Sequence, residues 1–251
     1  MKRHHAPGVR ALEVWDVVLD GAPLYLLAEQ ALPSAIVALV RALQQGSARR
    51  LRADLALPRL RVDRVLLGGG GVTEPACAAL SRANIEARVH PDPVWIGEAG
   101  ARALCAQAVL EIGQTSVKYS DLDGRVRLAR PLDRVPLESA SRSLDRALLR
   151  ARTLEFLASA AQGRRRPASL VLAMPCELGD DLRVAGCSYP WTDGDPRLIA
   201  DLLALAGLDD VPTRVLNDAE LAAVAAQQLC GPHTLVLTLG LGLGGAYLDA
   251  P

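Results

Sequence analysis

Near its C-terminus the chain reads Thr234-Leu-Val-Leu-Thr-Leu-Gly-Leu-Gly-Leu-Gly-Gly-Ala-Tyr-Leu248, an apolar run that delivers Gly240, Gly242, Gly244 and Gly245 into a turn before a second apolar run. Glycines lack a Cβ, reach positive φ and let an anion approach main-chain N–H groups, so strand, glycine turn, strand is a backbone cradle for phosphate. The same pattern also suits a plain β-hairpin with a glycine-rich bend. A related stretch, Leu110-Glu-Ile-Gly-Gln-Thr-Ser-Val-Lys-Tyr119, offers the N–H groups of Gly113, Gln114, Thr115 and Ser116. Lys118 just beyond them is either a phosphate partner or a solvated strand lysine. Gly68, Gly69, Gly70 and Gly71 follow an apolar strand, where they suit either close approach of a ligand or an ordinary strand-to-helix turn. Asn217-Asp218 stand between a short strand and a helix; they are acid–base and hydroxyl-holding residue types, and equally N-cap types.

Composition narrows the classes. The chain has 251 residues, half of them hydrophobic, with mean hydropathy +0.18, enough for one large core or two small ones. Lys+Arg and Asp+Glu balance at 28 each, which removes the electrostatic case for nucleic acid or a membrane as partner. Arg49-Arg50-Leu-Arg52 and Arg164-Arg165-Arg166 have no interleaved aromatic residues and read as solvated loops or helix ends. Five cysteines (Cys77, Cys105, Cys176, Cys187, Cys230) without a C-x-x-C pair predict reduced thiols in a cytoplasmic protein. No apolar run resembles a secretory signal or is long enough to span a bilayer.

These residues need elements to hold them. LEVWDVVL and APLYLL around Asp20-Gly21 predict a hairpin over 12–27, and a helix from Pro33 stops at Gly46. A buried strand at 62–67, a helix at 73–82, a strand at 85–89 and a helix starting at 97 follow. Then come three strands within 109–128, the second turn at Asp123-Gly124, and a long helix ended by Gly163. Strand 169–174, a helix from Asp195-Pro196 to Gly207, strand 213–216 and a helix capped by Asn217-Asp218 complete the pattern.

Residues 109–229 therefore spell βββαβαβα. The remainder gives the same string only when the chain is closed into a ring, with 234–251 supplying the first strands and 12–106 the rest. Chain termini often lie close together, so such a permutation preserves packing. The pattern leaves open whether 12–19 or 244–249 is the second strand of this half.

Two βββαβαβα halves, each opened by a glycine-turn hairpin, resemble the actin, Hsp70 and sugar-kinase ATPase superfamily, and within it the bacterial ROK sugar kinases. VLEIGQTSVKYSDLDG resembles the first phosphate motif and TLVLTLGLGLGGAYL the second. SLVLAMPCEL resembles the strand ending near the sugar, VLNDAELAAVA the catalytic-aspartate helix, and VDRVLLGGGGVTEP with WIGEAGARAL the adenosine side. The resemblance implies an α/β protein of two ribonuclease-H-like domains around a cleft, circularly permuted. They span 109–230 and 231–251 plus 1–108, with the two hairpins facing each other.

It further implies ATP and Mg²⁺ as cofactors, Asp218 as general base, Asn217 holding the acceptor hydroxyl, and Glu111 holding a hydrated Mg²⁺. The partner would be a small-molecule substrate, a sugar or similar polar metabolite; a homodimer is left open. Three positions depart from the family pattern: Glu111 replaces Asp, Gln114 replaces a phosphate-facing Gly, and Leu241 replaces a hydroxyl-bearing Thr. A Glu-x-Gly-His sugar motif and a Cys-rich zinc segment are lacking. The readings are thus a small-molecule kinase, a catalytically weak relative serving as nucleotide sensor, scaffold or regulatory partner, and a plain ATPase coupled to a partner.

Overall fold

The computed structural model describes the chain except residues 13, 51–55, 72–73, 114–115, 130–141, 186–193, 241–242 and 250–251. In chain order the elements begin with β1 (Lys2–Arg3), β2 (Val9–Leu12), β3 (Val17–Leu19), β4 (Ala22–Pro23), α1 (Leu24–Gln45) and β5 (Arg49–Arg50). Next come β6 (Arg64–Gly68), α2 (Glu74–Arg82), β7 (Glu86–Val89), α3 (Ile96–Ala103), β8 (Ala108–Ile112), β9 (Ser116–Asp121) and β10 (Gly124–Ala129). The chain continues with α4 (Arg142–Ala160), β11 (Leu170–Met174), β12 (Glu177–Leu178), β13 (Val184–Ala185), α5 (Leu198–Leu205), β14 (Thr213–Asn217), α6 (Asp218–Ala226), β15 (Thr234–Leu239) and β16 (Leu243–Leu248). The protein is therefore mixed α/β, built on several sheets, and among the described residues no helix is long and apolar enough to cross a membrane. It divides into two compact units, residues 1–5 with 97–221, and residues 6–96 with 222–251.

In the first unit a six-stranded sheet runs β1-β14-β11-β8-β9-β10. β1, β14, β11 and β8 are parallel, while β8, β9 and β10 form an antiparallel meander. The two-residue period of a strand sorts the side chains. Leu110, Ile112, Val117, Tyr119, Leu170, Leu172 and Val215 enter one core with Leu157 of α4 and Leu198, Ile199, Leu202 and Leu203 of α5. Full burial of each leucine contributes roughly 1.5–3 kcal/mol, so this face holds the unit together. Glu111 and Lys118 fall on the opposite face, where α3 approaches through Gly97. α6 packs on α3 where Gly100 meets Leu221, a contact too close for a Cβ. β12 and β13 pair as a small separate hairpin.

The second unit carries a five-stranded sheet, β2-β16-β15-β6-β7, with β15, β6 and β7 parallel and β16 and β2 antiparallel additions. Its core joins Val65, Leu67, Leu235, Leu237 and Leu239 to Ile36, Leu39, Val40 and Leu43 of α1 and to Ala76 and Leu80 of α2. Strands from both ends of the chain thus share one sheet. β16 is the second strand and β2 the third. The expected 12–19 strand divides, its end forming β3 in a separate three-stranded sheet, β4-β3-β5. The Asp20-Gly21 turn pairs β3 with β4, but LYLL after Pro23 is helix rather than strand. Its leucines are drawn onto α1 by the core, which overrides β propensity. α1 kinks at Ala31, two residues before Pro33, because proline lacks the N–H a continuous helix needs. Gly46 ends α1 in the left-handed region with its N–H on the Leu43 carbonyl.

Cys77, Cys105 and Cys230 are free, whereas Cys176 is disulfide-bonded. This corrects the expectation of five reduced thiols. Cys187 lies outside the described residues.

Candidate functional site

Three of the expected segments meet at one edge of the first unit's sheet. The parallel register sets Glu111 of β8 beside Ala173 of β11, and Met174 beside Asn217 of β14. The Gly113 turn, the Cys176 segment and Asn217-Asp218 therefore all leave the carboxyl ends of adjacent parallel strands. That edge is where open α/β sheets bind ligands, because the strand-to-helix loops there expose polar backbone and helix starts.

Hydrogen bonds fix the start of α6. The Ala219 N–H donates to Asn217 Oδ1 at 2.9 Å, and the Asn217 N–H donates to Glu220 Oε2 at 3.0 Å. This is a capping box, with Glu220 closing it three residues on. Asn217 Nδ2 donates to the Cys176 carbonyl at 2.9 Å, tying α6 to the end of β11. Arg3 Nη2 reaches Glu220 Oε1 at 2.8 Å, and each side chain of this pair is only 8% exposed. Both ends of the Asn217 amide thus serve the fold. The residues after the cap, Ala219 through Ala226, are all buried, as expected of a helix with little polar surface.

Asp218 comes next to the cap. Its Oδ1 accepts from the Ala219 N–H at 2.8 Å, and part of the residue remains open to solvent. Desolvation of the carboxyl is the main reason its pKa is pushed up to about 6, with the Glu111 charge adding to the rise. The Ala219 N–H and the Lys118 ammonium oppose the shift without cancelling it. A carboxylate poised near neutral pH is the state a general base needs.

Glu111 is buried and its Oε2 receives Lys118 Nζ at 2.8 Å across the β8–β9 pair. Oε1 rests against Gly97, where any Cβ would overlap it. Gly113 closes its turn by donating its N–H to the Ser116 carbonyl at 3.0 Å, and Ser116 is buried. Gln114 and Thr115 lie outside the described residues.

The second unit brings together two other expected segments. Gly71 donates its N–H to the Leu239 carbonyl at 2.8 Å, immediately before Gly240. Gly69 has φ +92°, donates to the Pro93 carbonyl, and sits so close to Leu239 that a Cβ would overlap the carbonyl oxygen. Gly68 faces Ile96, whose Cδ1 would be 2.8 Å from an added Cβ. Close packing of protein on protein thus accounts for glycine at 68, 69 and 71. Gly70 and Gly240 are exposed. Gly245 lies against Val14, Gly244 is half-buried, and Gly242 and Leu241 lie outside the described residues.

Sequence reading did not single out Arg3, Glu220 or Gly97. Glu220 had a signal in the Asn217-x-x-Glu220 spacing; Arg3 and Gly97 depend on contacts more than ten residues away. Among the described residues, no three His, Cys, Asp or Glu side chains group to hold a metal ion. The donor set does not fit the expected hydrated Mg²⁺ while Lys118 holds Glu111. The chain matches no protein-family model, no curated protein and no solved structure.

Proposed function

We propose that the protein is a phosphotransferase that moves a phosphoryl group from ATP to a hydroxyl of a sugar or similar small polar metabolite, with Asp218 as general base. The observation that carries this reading is Asp218 itself. It is a partly open carboxylate poised near pH 6, at the same carboxyl edge of a parallel sheet as Gly113. Each sheet contains the strand order third-second-first-fourth-fifth, counted from β8 in the first unit, where β1 adds a sixth strand beyond the fifth, and from β15 in the second. That shared order supports a permuted pair of ribonuclease-H-like domains of the actin type. Asp218 takes the proton of the acceptor hydroxyl as it attacks. The phosphate charge, which grows during transfer, is met by main-chain N–H donors at the same carboxyl edge. No step is assigned to Mg²⁺.

The test is transfer from ATP over a panel of sugars and polyols, by the wild type and Asp218→Asn. Loss of roughly 10²–10⁴-fold in the variant at unchanged fold is expected; equal turnover would remove Asp218 from the mechanism.

A second reading is a catalytically weak relative that senses nucleotide or serves as a scaffold. The Glu111–Lys118 pair and the close packing of Gly68, Gly69 and Gly71 on protein atoms favour it. ATP binding without transfer in the same panel would select it.

A further inference from the structure

Glu111 stands where the resemblance expects a carboxylate for a hydrated divalent cation, yet its surroundings already contain a positive charge. Lys118 is locked opposite Glu111 by the antiparallel register, and the pair meets at 2.8 Å with side chains 13% and 9% exposed. The second oxygen of Glu111 abuts Gly97, which leaves no space on that side for coordinated water.

We propose that the Lys118 ammonium is the resident cation of the Glu111 carboxylate, so that Glu111 takes up no divalent metal while Lys118 is present. A buried carboxylate needs a partner of opposite charge, and a covalently tethered one is always at hand. Mg²⁺ prefers octahedral oxygen ligands and keeps several waters. To bind here it would have to expel an enclosed ammonium and find room for that hydration. Among the described residues no group of three His, Cys, Asp or Glu side chains offers a metal site that could compensate. Lysine therefore wins the competition that aspartate and water would concede to a metal. The assignment holds whether or not a phosphoryl group is transferred at this edge, and its test contains no nucleotide.

Mn²⁺ alone is the probe, followed by electron paramagnetic resonance as the free-ion signal disappears on binding. The wild type and Lys118→Arg are expected to leave the signal unchanged. Lys118→Met is expected to take up Mn²⁺, because a buried carboxylate freed of its ammonium is a hard oxygen ligand for such an ion. Mn²⁺ should also raise the melting temperature of Lys118→Met and not of the wild type, since binding to the native state stabilises it. Adding Glu111→Gln to Lys118→Met should abolish both effects. Lys118→Gln, which fills the same space with a neutral group, provides the comparison if Lys118→Met does not fold. Stoichiometric uptake by the wild type that is lost in Glu111→Gln would overturn the proposal, as would failure of Mn²⁺ to bind or restore either neutral variant.

Discussion

Asp218 should leave a signature in stability as well as in rate. Its pKa rises from 3.8 to about 6 on folding, so between these values the native state holds more protons than the unfolded state. The stabilisation tied to the neutral carboxyl is complete below pH 3.8 and is lost as pH rises through about 6. The full shift corresponds to about 3 kcal/mol, and partial exposure of the residue reduces this to about 1–3 kcal/mol. Asp218→Asn keeps the oxygen that accepts from Ala219 and removes the ionisation. It should therefore be more stable than the wild type at pH 7 by about 1–3 kcal/mol, with a flatter profile between pH 4 and 6 in urea unfolding. Turnover by the wild type should fall as pH drops through about 6, when the base becomes protonated. Gly97→Ala is expected to destabilise by about 1–3 kcal/mol through overpacking against Glu111; a neutral effect in the same assay would show that Glu111 moves freely. The identity of Asp218 was legible from the Asn217-Asp218 pair after a strand. Its altered acidity was not, because that depends on Glu111, more than a hundred residues away, and on enclosure of the carboxyl.

At the scale of elements, the capping box and the Cys176 contact make Asn217 the hinge pin of α6. Asn217→Ala removes the cap and the donor to the Cys176 carbonyl, and should lower unfolding free energy by about 1–3 kcal/mol. Asn217→Asp should recover the cap and not the donor, giving an intermediate value in the same denaturant series. Gly69→Ala meets both a φ of +92° and the Leu239 carbonyl, and should lose about 2–4 kcal/mol by calorimetric melting. Most elements could be read from the chain because their stops are chemical: Gly46 ends α1, Asp123-Gly124 turns β9 into β10, and Gly207 follows α5. The start of α1 was not readable. LYLL has the same apolar run in a strand or a helix, and the choice is made by packing against the sheet rather than locally. The purpose of Gly68, Gly69 and Gly71 was equally hidden, since a glycine that admits a ligand and one that admits a neighbouring strand look alike in sequence.

At the scale of the whole molecule, one sheet draws strands from both ends of the chain. β16 is hydrogen-bonded on one side to β15 and on the other to β2, so deletion of residues 241–251 should expose both neighbours and abolish cooperative protection of residues 6–96 in hydrogen exchange. Protection retained in β2 and β6 would mean that the sheet does not depend on this closure. That the C-terminal strands share a sheet with strands from the N-terminal part was legible because the element string repeats only when the ends are joined. The share of Met1–His5 in the other unit was not: β1 is two residues long, and its attachment rests on pairing with β14 and on the Arg3–Glu220 ion pair. Calorimetric titration of the full chain with ATP, with and without Mg²⁺, tests the phosphate-binding role of the carboxyl edge of the first unit's sheet most directly. Phosphate binding there predicts saturable heat with a dissociation constant at or below about 1 mM; heats no larger than dilution at several millimolar ATP under both conditions would contradict it.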